Sequence, residues 1–384
     1  GITAALASGT CVGVPLTHRE WASAVAFVTG SEQVGKQDSS LDFRALAAFP
    51  GTLVFYMGVT TAKKWTTELI RHGKSGDTPV VIVRRISCSD QVSVKCKLSE
   101  VIEKFSGAGR IRPPAIVIVG EVAGEATMNS WFEQRPLFGQ TILVTRALGQ
   151  AEDLVDKLVK LGADVLVQPA IEILPPESLT EVDAAIQAMS TFDWLVFSSS
   201  NGVRFFMDRL QELGLDGRHL SNVRIAAIGP NTAQALTERH LNCDLVPDAY
   251  RAEALGAAMS DLVTDKHVLL IRASRGRDTL CEILVEHGAR VTQVVTYLSQ
   301  DVTEPDPQVS SALGQGEIQW VTITSSAIGR STVALLGADL AKAKVVSISP
   351  ITSGVLKELG VEVAVEAKIH SVDGMIDAIL NVNS

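Results

Sequence analysis

A chain of 384 residues exceeds one ordinary domain and predicts two or three. With 46% hydrophobic and 20% charged residues it can bury sizeable cores, which excludes a disordered chain. A formal net charge of −9 excludes a general nucleic-acid binder, which needs a basic face, and leaves room only for a local basic cleft.

Cys11, Cys88, Cys96, Cys243 and Cys281 are scattered, odd in number and free of any CxxC pair, so neither a disulfide framework nor a zinc site is predicted. That usage points to a reducing cytoplasm. No apolar run approaches the roughly 20 residues of a membrane span, so no membrane partner is expected. The chain opens on glycine in "GITAALASG", which reads as the middle of a unit and predicts a cut N-terminus.

From residue 1 to 122, apolar strand-like runs alternate with helical stretches. "SAVAFVT", "GTLVFYMG", "TPVVIVRR", "QVSVKCKL" and "PAIVIVGEV" predict strands. "LDFRALAAF", "AKKWTTELIRHG" and "LSEVIEKFSGAG" predict helices, the last two stopped by glycine. Residues 123–138 fall in a polar stretch with Gly and Pro between two strongly patterned parts and are expected to be a linker.

A repeat follows. "TILVTRALGQAEDLVDKLVKLGADV" from Thr141 matches "HVLLIRASRGRDTLCEILVEHGARV" from His267, and "WLVFSSSNG" from Trp194 matches "WVTITSSAI" from Trp320, both at a spacing of 126 residues. "IGPNTAQAL" and "ISPITSGVL" are spaced by 120, as are "YRAEALGAAM" and "HSVDGMIDAI". Each copy reads as strand and helix in alternation, which predicts parallel sheets wrapped by helices in two similar α/β lobes with a cleft between them.

In such sheets ligands sit beyond the carboxyl ends of the strands, where loops feed helix N-termini and backbone N–H groups meet anions. The loops there bear Arg146, Ser198, Ser199, Asn201, Thr232, Arg272, Arg277, Thr324, Ser325 and Thr352, the candidate substrate contacts. Taken singly, each hydroxyl also fits an ordinary N-cap and each arginine, Arg275 included, a pairing with a neighbouring acid. Tyr297, near the end of the strand "RVTQVVTYL", likewise fits a packing role with its hydroxyl at the rim. No His, Cys or carboxylate cluster of catalytic spacing competes with these residues.

Residues 137–384 as an ordered set resemble uroporphyrinogen-III synthase: "ILVTR", "LVFSSSNGV", "IAAIGPNTAQAL", "AEAL", "VLLIRASRGRDTL", "VVTYLS" and "VTITSSA". The resemblance implies a cofactor-free lyase that closes linear hydroxymethylbilane into uroporphyrinogen III with inversion of ring D and loss of water. It implies two lobes joined by a two-stranded connection, 139–174 with 299–384 in one and 175–298 in the other. It also assigns Tyr297 as the catalytic proton donor. Two positions depart from the family pattern: Ile351 stands where a hydroxyl is usual, and Ser326 where proline is frequent.

Residues 1–122 resemble the C-terminal half of uroporphyrinogen-III C-methyltransferase through "GITAALASGTCVGVPLTHR", "VAFVTG", "TLVFYMGV", "TPVVIV" and "PPAIVIVGEV". The resemblance implies a truncated tetrapyrrole-methylase subdomain in which Thr3, Ala4 and Met57 help hold S-adenosylmethionine. The glycine-rich half that completes that cofactor site in the family is not matched, so methyl transfer is expected of a full-length methyltransferase only. Linear and cyclic tetrapyrroles are the expected partners. Two competing readings are a bilobed small-molecule binding module without catalysis and a methyltransferase carrying a structural synthase domain.

Overall fold

The computed structural model describes residues 1–32, 40–125 and 130–383. The chain begins with α1 (Ala4–Val12), β1 (Val25–Thr29), α2 (Phe43–Ala48), β2 (Thr52–Tyr56), α3 (Ala62–Arg71), β3 (Pro79–Arg84), β4 (Val92–Lys97), α4 (Val101–Lys104) and β5 (Ala115–Val119). These strands form one mixed sheet in the order β1-β2-β5-β3-β4, in which only the β1/β2 pair is parallel. Every predicted strand and helix of this segment is present. Helix α1 was not foreseen, because "AALASGTCV" is built of small residues with no apolar stripe for periodicity to detect. Trp65 on α3 fixes the helix to the sheet. It is 1% exposed, stacks on Phe55 of β2 at 4.3 Å between ring centroids, and donates its Nε1–H to the Gly58 carbonyl at 2.9 Å.

The chain continues through β6 (Thr141–Val144), α5 (Leu148–Lys160), β7 (Asp164–Val167), β8 (Ile171–Leu174), α6 (Thr180–Gln187), β9 (Trp194–Phe197), α7 (Ser200–Glu212), β10 (Arg224–Ala227), α8 (Pro230–Thr237), α9 (Ala252–Met259) and β11 (His267–Ala273). It ends with α10 (Thr279–Glu286), β12 (Arg290–Asp301), α11 (Pro307–Gly314), β13 (Trp320–Ile323), α12 (Ser326–Leu336), β14 (Lys344–Ser347), α13 (Pro350–Glu358), β15 (Val365–Glu366) and α14 (Val372–Asn383). Two further sheets result, β15-β14-β13-β6-β7 and β10-β9-β11-β12-β8. The first is parallel throughout; the second is parallel except for its edge strand β8, antiparallel to β12. Their central strands are buried on both faces, which explains continuous apolar runs such as "WLVF" and "WVTI" in place of alternation.

The two sheets share one pattern. β14-β13-β6-β7 corresponds strand for strand to β10-β9-β11-β12, so each sheet takes one βαβ from one copy of the repeat and a strand pair from the other copy. The chain divides into two compact units: Gly1–Thr145, Gly149–Gln168 and Pro305–Ser384 in the first, Arg146–Leu148 and Pro169–Glu304 in the second. The expected lobe boundaries at 174/175 and 298/299 therefore shift outward. Residues 171–174 and 298–301 pair with each other as an antiparallel ladder, Leu174 with Leu298 through Ile171 with Asp301, and that ladder belongs to the second unit.

The expected linker 123–138 is also corrected in part. Residues 126–129 lie outside the described residues, but 130–138 are packed. Ser130 donates to the Cys11 carbonyl, Trp131 donates its indole N–H to the Thr10 carbonyl at 2.9 Å, and Glu133 accepts from Gln91 and Ser93 at 2.8 and 2.7 Å. Leu137 is wholly buried with Ile142 and Trp320. The apolar side chains inside this polar stretch give it a packing surface that a free linker lacks.

In the second unit one core lies between the sheet and α6, α7 and α8, with Phe197, Phe206, Leu195 and Leu269 among its wholly buried side chains, and a second lies on the other face under α9 and α10, around Trp194, Leu255 and Leu284. At its margin Arg209 of α7 grips both carboxylate oxygens of Asp183 on α6 at 2.7 Å, and this pairing holds the Asp183 carboxyl below its ordinary range. The grip fixes α7 against α6, and α7 carries the candidate site at its N-terminus.

Candidate functional site

Strand β9 ends at Phe197 and the chain turns through Ser198 and Ser199 into α7. Ser199 is the N-cap: extended backbone and a side-chain oxygen that accepts the Gly202 N–H at 3.0 Å, satisfying one donor that the helix leaves open. The same oxygen lies 2.9 Å from the Tyr297 hydroxyl of β12. Asn201 also hydrogen-bonds that hydroxyl. Ser198 turns the other way and donates to the Ile271 carbonyl of β11 at 2.9 Å.

Tyr297 is 6% exposed, and its ring stacks on Phe205 of α7 at 5.7 Å with an interplanar angle of 15°. Burial pushes the phenol above its ordinary value of 10.0, outweighing the hydrogen bonds from Ser199 and Asn201 that oppose it. The phenol therefore stays protonated across the neutral range. Linkage has one sign here: the folded state holds this proton more tightly than the unfolded chain, so the contribution is complete below pH 10 and is lost as pH rises through the raised value.

Ser198, Ser199, Tyr297, Arg272 and Arg277 line one cavity of about 370 Å³ in the second unit. Arg272 leaves β11 into this space, but its guanidinium is engaged by Asp278, by Gln293 at 2.8 Å and by the Gly276 carbonyl at 3.1 Å. Arg275 meets Asp301 at 2.8 Å and Arg277 meets Glu253 at 3.3 Å. The plain expectation of acid pairing thus holds for all three. These bridges are short, partly exposed and worth little individually, so an incoming carboxylate can take the place of the protein's own.

Thr232 sits in the first turn of α8, 4% exposed, and does not line this cavity. Arg146 is half-buried just after β6 and also lies outside it. Thr324, Ser325 and Thr352 belong to the first unit. There Ser325 caps α12 by accepting the Ile328 N–H at 3.2 Å, and Ser349 caps α13 by accepting the Thr352 N–H at 3.4 Å. Thr352 is 2% exposed, whereas Ile351 beside it stands 77% exposed. Sequence reasoning passed over Tyr250, Arg251 and Gln293, which share the cavity with Tyr297. The one signal for Tyr250 and Arg251 was their place at the start of "YRAEALGAAM", the segment that aligns with "HSVDGMIDAI"; Gln293 had none.

In the N-terminal segment Ala4 and Met57 line a second cavity, of about 600 Å³, with Tyr56, Arg85, Pro113 and Pro114. Thr3 reaches it through Tyr56, whose hydroxyl contacts the Thr3 hydroxyl and accepts the Ala5 N–H at 2.8 Å. Met57 holds a φ of +50°, a left-handed conformation costly for a long side chain, and is 60% exposed at this cavity. The lining suits the apolar and planar parts of S-adenosylmethionine. Among the described residues it offers no carboxylate for the ribose hydroxyls. Nor do the described residues place three or more His, Cys, Asp or Glu to hold a metal ion, and no described helix is long and apolar enough to cross a membrane.

Two similarly ordered, mainly parallel sheets with hydroxyls and guanidinia at their strand ends, following a separate mixed sheet, define an α/β protein with a tandem anion-suited architecture. Residues 152–377 match the family model of uroporphyrinogen-III synthase HemD, and residues 1–102 that of tetrapyrrole (corrin/porphyrin) methylases. The chain belongs to the uroporphyrinogen-III synthase family and carries a tetrapyrrole methylase segment fused before it. It is 30% identical over its whole length to the porphyrin biosynthesis protein HemD of Ruminiclostridium josui, covering 76% of that protein. It is 33% identical over 257 residues to the uroporphyrinogen-III synthase of Synechococcus elongatus, which spans 64% of this chain and 96% of the relative. With the uroporphyrinogen-III C-methyltransferase of Bacillus subtilis it shares 31% over 311 residues, 80% of this chain and 60% of the relative.

Proposed function

We propose that the chain catalyses the closure of hydroxymethylbilane to uroporphyrinogen III, with no cofactor at the synthase site. The observation that carries this reading is the gathering of Ser198, Ser199, Arg272, Arg277 and Tyr297 on one cavity within the segment that matches the synthase family. The substrate bears eight carboxylates and a terminal hydroxymethyl group. Guanidinia and capped helix starts supply donors for the former; a buried protonated phenol supplies a proton for the latter.

Departure of the hydroxyl breaks the C–O bond, the electron pair leaving with oxygen and the Tyr297 proton completing water. The resulting azafulvenium carbon is attacked by the substituted α-carbon of the last ring to give a spiro centre. The bond from that carbon to its original bridging methylene then breaks, and the ring's free α-carbon attacks that methylene, closing the inverted macrocycle and releasing its own proton. One proton enters and one leaves. Choosing the inverted ring over direct closure then rests on how the two chain ends are held. The test is incubation with freshly prepared hydroxymethylbilane and separation of the isomers: type III product without added metal or cofactor supports the reading, and type I alone at the spontaneous rate overturns it.

For the methylase segment we propose no methyl transfer by these 384 residues alone, because its cavity, among the described residues, is lined by no carboxylate for the cofactor's ribose. Calorimetric titration with S-adenosylmethionine is expected to show no binding tighter than about 1 mM. A micromolar dissociation constant would contradict this.

A further inference from the structure

We propose that Tyr250 and Arg251 hold one carboxylate-bearing pyrrole ring of the substrate in the second unit, the Tyr250 ring stacking on the heterocycle and the Arg251 guanidinium taking its carboxylate. The inference rests on the synthase reading above and names the side chains that would position the substrate there.

The cavity of about 370 Å³ brings together four guanidinia, those of Arg251, Arg272, Arg275 and Arg277. Three are matched by Asp278, Asp301 and Glu253. Arg251, the exposed N-cap of α9, has no ion-pair partner among the described residues. A small concavity with one more guanidinium than carboxylates is incomplete without an anion, and a planar fork is shaped for a carboxylate.

The second observation is independent of charge. Of the three tyrosines, Tyr56 has its hydroxyl bonded within the N-terminal segment and Tyr297 is buried against Phe205. Tyr250 alone presents its ring, 66% exposed, at the cavity next to Arg251. Its position is set by a close approach. A Cβ added to Gly229 would lie 3.0 Å from the Tyr250 Cβ and 3.2 Å from its Cγ, so the glycine that opens α8 lets the base of the ring rest against the backbone. An exposed aromatic beside an unmatched guanidinium answers a ligand that is flat and acidic at once, as a propionate- or acetate-bearing pyrrole is.

The experiment uses the whole chain and hydroxymethylbilane, reading KM, kcat and the ratio of type III to type I product for Tyr250→Ala, Tyr250→Phe, Arg251→Gln and Gly229→Ala. Tyr250→Ala is expected to raise KM by roughly 3- to 10-fold, the value of an aromatic pair, with type I product appearing. Tyr250→Phe is expected to match wild type, since the ring and not the hydroxyl is used. Arg251→Gln should raise KM by roughly 10- to 100-fold, as for a lost charge-assisted hydrogen bond. Gly229→Ala should mimic Tyr250→Ala in part by displacing the ring. Both target side chains are exposed, and thermal unfolding of each variant checks that the fold is kept. An active wild type with unchanged KM and isomer ratio in Tyr250→Ala and Arg251→Gln overturns this inference alone. Tyr250→Phe as impaired as Tyr250→Ala overturns the stacking role, and a wild type yielding only type I product overturns the synthase reading and this inference with it.

Discussion

Replacing Tyr297 with phenylalanine is expected to lower kcat by roughly 10- to 1000-fold, the usual range for a positioned proton donor, while the fold persists. The ring is held by stacking on Phe205, and phenylalanine keeps that contact. What disappears is one hydroxyl and its hydrogen bonds to Ser199 and Asn201, worth about 1 kcal/mol of stability. Ser199 still caps Gly202, so α7 keeps its start. The change therefore separates chemistry from packing, which a larger truncation would not do.

The competing account gives holding geometry nearly all of the rate. Under it the phenylalanine variant behaves like wild type and Thr232→Ala, in the first turn of α8, hurts more. Turnover of the two variants, compared at equal thermal stability, decides the matter, and an unchanged rate for Tyr297→Phe removes the phenol from the mechanism.

Phe206→Ala is expected to cost about 3–5 kcal/mol of stability, a large share of what a domain possesses. Phe206 is wholly buried and meets Phe197 edge to face at 5.7 Å and 77°, in a core that includes Leu210, Ile225 and Leu236. Its neighbour Phe205 does a different job. Successive residues of a helix are turned by about 100°, so one phenylalanine faces the core and the other stacks on Tyr297. Urea unfolding, with hydrogen exchange of peptides spanning β9 to α8 to localise the loss, measures the effect. A midpoint close to wild type would mean that α7 is not anchored by this ring, and the account of how Ser199 and Asn201 are held would fail with it.

Much of the architecture was legible along the chain. Apolar runs such as "TLVFY" and "WLVF" located the strands, and Ser199, Ser325 and Ser349 stand where helix starts call for an oxygen. The spacing of 126 residues exposed the repeat. Other features left no local trace. Helix α1 has no polar and apolar faces to alternate, and the packed residues 130–138 look like linker until Trp131 and Leu137 find their partners far along the chain. Arg272 pairs with Asp278 six residues away, a partner that can be guessed, whereas Arg275 pairs with Asp301 and Arg277 with Glu253, each more than twenty residues distant.

The sequence by itself determined the elements, their polarity and the existence of two similar sheets, because backbone periodicity and end-capping are settled within a few residues of each position. Only the tertiary structure decided which strands share a sheet. It interleaved the copies so that β9 and β10 of the first join β11 and β12 of the second. That choice brings Ser199 to Tyr297 across 98 residues and puts Tyr250 on the same cavity as Arg272. Parallel strands cannot pair through a tight turn, so their partners come from distant segments whose apolar faces fit, and that fit depends on all of the sheet at once.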